Sequence, residues 1–363
     1  MTARNDNTIR FAAAGDILLA DAPGRRRDLV GTFASVRSAL VGADFTFANL
    51  ECTLPGDGSR IATEPRVVAR AEQIRAFASS GIQVVSLANN HMFDCFAAGF
   101  ERLRDLLAQR HVAWFGAGLD LAEATEPLLL ARRGQRIAML AGVDERSGAA
   151  HVAGPGRFGV APLEMDRLVG QVRELTGEVD HVIVSLHWGE ERLMLPSPEQ
   201  VAAARQLVDT GASLVLGHHP HVVQGMEIRN GTPICYSLGN FVADDVPYDN
   251  GDSIRWNRTE RIGCLLTGRL TPAGTVTDVR QRPSFDDGQR VRITENPAGL
   301  RRIARCNRAL ARGVTLQRYR REHLRVKTLL PILRHLRPSE LVRLRPRQVR
   351  NAWRQFRSAR EAR

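Results

Sequence analysis

Three observations predict an α/β protein. Short runs rich in apolar and β-branched residues alternate with stretches of helical period through the first 220 residues. Several of these runs break at once into a polar turn holding glycine or histidine. Three further pairs of apolar runs flank hairpin-type turns, which predicts a mixed sheet or a second sheet packed on the first.

In chain order, the spacing predicts strands at residues 9–14, 44–48, 82–87, 182–186 and 213–216, each too short to be a buried helix. Between them, apolar residues at helical spacing predict helices at 33–40, 72–78, 100–109, 163–175 and 198–208. Residues 128–131 and 136–141 flank Arg132-Arg133-Gly134-Gln135 as a hairpin, and 222–228 and 234–238 flank Asn230-Gly231. A third hairpin joins 263–270 to 276–279 through Pro272-Ala273-Gly274. The polar stretch 244–258, with Pro247 and Gly251, reads as a long surface loop.

At 363 residues, with 43% hydrophobic and 25% charged residues, the chain has the makeup of a globular protein and exceeds one typical domain. Residues 1–290 read as one catalytic unit and 291–363 as a basic helical extension. The extension holds 21 Lys and Arg against four Asp and Glu, whereas residues 1–290 carry a net −5. An acidic protein, a polyanion or an anionic membrane surface would suit it, and so would simple solvation of an Arg-rich helix. Val349, Trp353 and Phe356 form one apolar stripe there, able to dock on the body, a partner or a membrane surface.

The five cysteines are odd in number and widely spaced, without a C-x-x-C pair, so neither a disulfide framework nor a cysteine zinc site is expected. No apolar stretch approaches the roughly 20 residues that cross a bilayer, and no signal-peptide pattern opens the chain. The expectation is a cytoplasmic protein without a transmembrane segment.

Gly217-His218-His219-Pro220-His221 is the segment richest in chemistry, with three imidazoles within four positions after a predicted strand. Neutral imidazole is a common metal ligand, although a buried histidine also often just completes a hydrogen-bond network. Other strand ends supply matching atoms: Asp16, Glu51 beside Asn49, Asn90 with His91, and His187. Ligands of open α/β sheets gather at the carboxyl ends of strands. Singly, Asp16 and Glu51 could be caps or turn formers, Asn90 a turn residue and His187 a core histidine. Jointly, two carboxylates, an amide oxygen and three imidazoles suit one or two divalent ions such as Mn, Fe or Zn better than Mg or Ca. Glu190 and Glu191, next to His187, could bind an amine, relay a proton or simply be solvated.

Six ordered segments carry a resemblance over residues 8–242. They are Gly15-Asp16-Ile17-Leu18, Asn49-Leu50-Glu51, Ser86-Leu87-Ala88-Asn89-Asn90-His91, Ser185-Leu186-His187-Trp188-Gly189, 217–224 and Ser237-Leu238-Gly239-Asn240-Phe241. In this order they resemble the CapA family, linked to poly-γ-glutamate capsule synthesis and similar in its domain to calcineurin-like metallophosphoesterases. The resemblance implies a four-layer α/β sandwich of metallophosphoesterase type with a metal site at one edge. It implies Asp16, Glu51, Asn90, His187, His219 and His221 as metal ligands, with Glu51 bridging, and His91 as the general acid. Asn49, Asn89, Asp94, His218 and Asn240, with Glu190 and Glu191, are expected to support the ligands or the substrate. Leu18 stands where metallophosphoesterases usually carry a histidine, and Phe96 where CapA relatives usually carry glycine.

The expected reaction is attack of metal-activated water on a phosphoester or a peptide or γ-glutamyl amide, with His91 protonating the leaving group. Two alternatives stand beside it. One is metal-assisted epimerisation of a peptide by α-proton abstraction, and the other a non-catalytic scaffold holding an acidic polymer or partner through its basic tail.

Overall fold

The computed structural model describes residues 7–22, 26–294 and 297–331. The stripe Val349, Trp353 and Phe356 lies outside them. The chain divides into two units, residues 1–319 and 320–363.

The first half alternates as the sequence predicts. It runs β1 (Ile9–Leu18), α1 (Arg37–Val41), β2 (Phe45–Leu50), α2 (Ala71–Ala78), β3 (Val84–Ser86), α3 (Phe96–Gln109) and β4 (Ala113–Phe115). A short strand β5 (Ala117–Gly118) and helix α4 (Leu121–Thr125) lead into the hairpin β6 (Leu128–Arg132) and β7 (Gln135–Val143). Next come β8 (Gly159–Val160), α5 (Met165–Thr176), β9 (His181–His187), α6 (Pro198–Thr210) and β10 (Leu214–His218). Hairpin β11 (Met226–Arg229) and β12 (Thr232–Cys235) follows, then β13 (Asn240–Ala243) and a small hairpin, β14 (Val246–Pro247) with β15 (Ser253–Ile254). Then come β16 (Ile262–Leu270), β17 (Val276–Asp286), β18 (Val291–Ile293) and α7 (Pro297–Ala311), and α8 (Leu316–His323) begins before the unit's end.

Two sheets result. The first has the order β18-β17-β16-β1-β2-β3-β4, with β13 also paired to β1; the second has the order β11-β12-β10-β9-β7-β6. Both are mixed, because the hairpins add antiparallel strands outside a parallel centre. The hairpins therefore bear on both sequence-based expectations at once.

Alternation along the strands builds the layers. In the second sheet Ile137, Met139, Ile183, Leu214 and Leu216 join the large core shared with Phe11, Phe47 and Val84 of the first sheet. Their neighbours Ala138, Leu140, Val182, Val184 and Val215 face the other way, onto Leu168, Val172 and Leu175 of α5 and Val201, Ala204 and Leu207 of α6. Ile74 and Phe77 of α2 and Phe100 and Leu103 of α3 cover the first sheet. The four-layer α/β sandwich follows: helices, sheet, sheet, helices.

Local chemistry sets two of the boundaries and the docking of α7. Ser197 caps α6 by accepting from the amide of Gln200 at 3.2 Å, Gln200 returns the bond at 2.8 Å, and Pro198 occupies the first helical turn. The helix expected at 33–40 is only Arg37–Val41, because Asp28 Oδ1 takes the Gly31 amide at 2.8 Å and folds residues 28–36 into turns. Helix α7 docks on the body: Ile303 and Leu310 are buried, and Asn307 Oδ1 accepts from the Met226 amide at 2.9 Å. No helix among the described residues is long and apolar enough to cross a membrane.

Candidate metal centre

The acidic and imidazole residues of the centre sit at or near the carboxyl ends of parallel strands, and Asn240 joins them from the start of β13. Asp16 on β1 is in register with Asn49 on β2 and with Asn240 on β13, and Glu51 follows β2 directly. In the second sheet His187, ending β9, is in register with His218, ending β10. Two glycines allow this crowding. A Cβ on Gly15 would run into the Gly239 carbonyl, and one on Gly217 into the Tyr236 carbonyl. His219 and His221 then turn back over the strand ends with φ of 91° and 55°, a left-handed backbone that costs non-glycine residues energy and is found at functional sites.

Asp16, Asn49, Glu51, His187, His218, His219, His221 and Asn240 are all buried. Five of them form two groups of potential ligands, Asp16 with Glu51 and His221, and Glu51 with His187 and His219, the ligand atoms of each group lying within 4.8 Å of one another. Glu51 belongs to both. Asn90 places Oδ1 2.8 Å from His187 Nε2, on the second group. His218 Nδ1 lies 3.1 Å from Asp16 Oδ1, and Asn49 donates to the same oxygen at 2.9 Å, so both orient Asp16. Asn240 Oδ1 is 3.0 Å from His221 Nδ1 and fixes that ring. Leu18 is buried in the core, so β1 contributes only Asp16.

Burial pushes Glu51 well above the usual carboxylate range, with Asp16 and Glu191 adding to it against the opposing charge of His221. Burial would raise Asp16 too, but hydrogen bonds and charge from His218 and His221 outweigh it and hold that carboxyl well below its usual range. Burial takes His187 well below the ordinary imidazole range and His219 down to about 3, helped by neighbouring imidazoles. His221 rises to about 10, since Glu51 and Asp16 outweigh its burial. Two neutral imidazoles and two carboxylates thus crowd around a space where Glu51 Oε1 and His219 Nδ1 are buried without any hydrogen-bond partner. Such orphaned atoms are costly unless a cation satisfies them, and the donor set of carboxylate and imidazole fits a divalent metal ion.

His91 stands beside this centre. Its Nδ1 is 2.8 Å from Asp94 Oδ2, and the same oxygen accepts the Val67 amide at 2.7 Å. Asn89 accepts the His91 amide at 3.1 Å and donates to the Leu50 carbonyl at 2.9 Å, tying the Asn-Asn-His turn to β2. The charge of Glu191 acts on Glu51, His219 and His221, whereas that of Glu190 acts on Tyr319. Sequence reasoning missed Trp256, whose ring lies 4.9 Å from His221 and whose indole N–H donates to the Asp244 carbonyl at 2.7 Å. A tryptophan inside an otherwise polar stretch was the available signal.

The fold and this centre define the class: a four-layer α/β sandwich whose strand ends form a site compatible with a divalent metal ion. Residues 10–245 match the family model of the bacterial capsule synthesis protein PGA_cap, and the chain belongs to that family. It is 29% identical over 277 residues to the PGA biosynthesis protein CapA of Bacillus subtilis (strain 168), covering 75% of this chain and 70% of that one. It is 30% identical over 283 residues to the capsule biosynthesis protein CapA of Bacillus anthracis, covering 75% and 66%. Among solved structures, a hypothetical protein from Thermus thermophilus aligns at a TM-score of 0.46 and 17% identity, over 77% of this chain and all of that one. A 5'-nucleotidase precursor from the same organism aligns at 0.42 and 14%, over 84% and 59%.

Proposed function

We propose that the chain is a metal-dependent hydrolase acting on a phosphoester or on a peptide or γ-glutamyl amide, with one or two ions of Mn, Fe or Zn. The observation that carries this reading is the pair of ligand groups sharing Glu51. Asp16, Glu51 and His221 hold one position, and Glu51, His187 and His219, with Asn90, hold the other. Bound there, the metal supplies Lewis acidity to the scissile group and makes hydroxide available near neutral pH. His218 and Asn49 keep Asp16 aimed inward. Asp94 fixes the His91 ring, and His91 delivers a proton to the leaving group. The five cysteines are buried and none is in a disulfide, which favours a reducing compartment as the place of work. An acidic partner for the Arg-rich end is proposed on charge alone, and its test is deletion from residue 320, which spares α7.

The test is metal quantification with turnover on wild type and three variants. Glu51→Ala and His219→Ala should lose metal and activity together, while His91→Ala keeps its metal and loses about 100-fold or more in rate. The assignment fails if His91→Ala alone empties the site. Deuterium uptake from D₂O without cleavage would assign α-proton abstraction instead, and a full substrate screen without turnover would leave a scaffold.

A further inference from the structure

A cavity of about 410 Å³ opens beside the His91–Asp94 pair. Cys95, which follows Asp94, lies in its wall together with Arg60, Arg66, Tyr248 and Asp249. The segment bearing the two arginines is tied to the same pair, the Ile61 amide donating to the Asp94 carbonyl at 2.9 Å and the Val67 amide to its carboxylate at 2.7 Å.

The arginines differ in a telling way. Arg66 is 6% exposed at its side chain and anchored by the Ile61 carbonyl at 3.0 Å and Glu64 Oε1 at 2.5 Å. Arg60 is 54% exposed. Both reach one carboxylate, that of Asp249: Arg60 at 3.3 Å and Arg66 in direct contact. Asp249 lies in the turn between β14 and β15 and is itself 57% exposed. Its amide donates to Glu64 at 3.1 Å. Asp21, also in the wall, is paired with Arg70 at 3.2 Å. Tyr248, next to Asp249 in the chain, completes this side of the wall.

Two guanidiniums converging on one exposed carboxylate is the geometry of an oxyanion site. The carboxylate filling it sits on a surface turn, where an ion pair is weak and exchangeable, whereas Arg66 is buried and stays. We propose that Arg60 and Arg66 form a substrate subsite for an oxyanion, carboxylate or phosphate, and that Asp249 is a built-in competitor that substrate displaces. This deepens the hydrolytic reading above and rests on it only for the direction of the cleaved bond toward His91.

The experiment is calorimetric binding to the full-length protein, which needs no turnover and so stands whether or not the hydrolytic reading does. The probes are tri-γ-glutamate, glycerol 2-phosphate and the neutral amide of tri-γ-glutamate. Asp249→Asn should tighten an anionic probe about fivefold, and Arg60→Gln should weaken it about as much, on the scale of an exposed charge pair. The neutral amide should respond to neither. Tightening of the peptide alone assigns a carboxylate source and of the phosphate alone a phosphate source. Unchanged affinity in Asp249→Asn, or equal tightening of the neutral amide, overturns the proposal. Arg60, being exposed, keeps the test clear of folding defects that substituting Arg66 would bring.

Discussion

Two regions of the second sheet obey opposite rules. Under α5 and α6, Ala138, Leu140, Val184, Val215 and Leu207 pack an apolar layer from regular strands and helices. At the carboxyl ends of the same strands, His187 and His219 are held neutral, His221 is held charged, and His219 and His221 sit at positive φ. Pattern and packing agree in the first region. They conflict in the second, in a way that a bound cation would relieve, and such local conflict is expected at functional sites.

Leu207→Ala should break the first region and not the second. Leu207 is wholly buried, so its truncation should cost about 2–5 kcal/mol in urea unfolding while metal content per folded chain stays at the wild-type value. Metal loss without a shifted midpoint would contradict the separation. Glu51→Gln should do the reverse. Glutamine keeps the shape of Glu51 and leaves Asp16, 3.5 Å from His221, as that ring's counter-charge, so metal-free stability should stay within about 1 kcal/mol. The added stability from metal, about 2.7 kcal/mol at a hundredfold excess over Kd, should vanish. A large loss in the metal-free Glu51→Gln protein would place Glu51 among the packing residues instead.

The apolar region was legible in the sequence, and the candidate site was legible as a set of strand ends that the fold brings together. Val182, Ile183 and Val184 announce a buried strand, and a polar turn after each run marked Asp16, Glu51, Asn90 and His187. β1 runs on to Leu18 rather than stopping at Ala14, because a bulge at Asp16 and Ile17 lets the strand carry polar residues and keep pairing. Helix α7 read as part of a basic tail, yet Gly299, Ile303, Cys306 and Leu310 form a buried stripe that charge counting hides. The contact of Arg66 with Asp249 joins residues 183 apart, and no local pattern encodes such a pairing. Long-range charge pairs come from topology, not periodicity.

Titration sharpens the contrast further. His221 is held charged up to about 10 by Glu51 and Asp16, and a metal ligand must be deprotonated. Loading metal near pH 7.5 should therefore expel at least one proton, drawn from the coupled His221 and Glu51. Apparent affinity should rise with pH, about tenfold per unit for one proton. His219, already neutral above about 3, should add nothing to the release. Calorimetry in buffers of different ionisation enthalpy measures the number directly, and a value of zero would mean that His221 is not a ligand.

The smallest effect concerns Phe96, which opens α3 at φ 53°, in the left-handed region that favours glycine. That backbone costs an L-residue about 1–2 kcal/mol. The Phe96 ring meets His151 edge-on, with centroids 5.3 Å apart, a contact worth about 0.5–1.5 kcal/mol. The two contributions nearly cancel, so Phe96→Gly should change stability by no more than about 1 kcal/mol. Removing the partner first exposes the strain: in a His151→Ala background, Phe96→Gly should stabilise by about 1 kcal/mol, because only the backbone cost is left to relieve. A double-mutant cycle in which Phe96→Gly has the same effect in both backgrounds would mean that the ring's other packing, and not its pairing with His151, offsets the left-handed backbone.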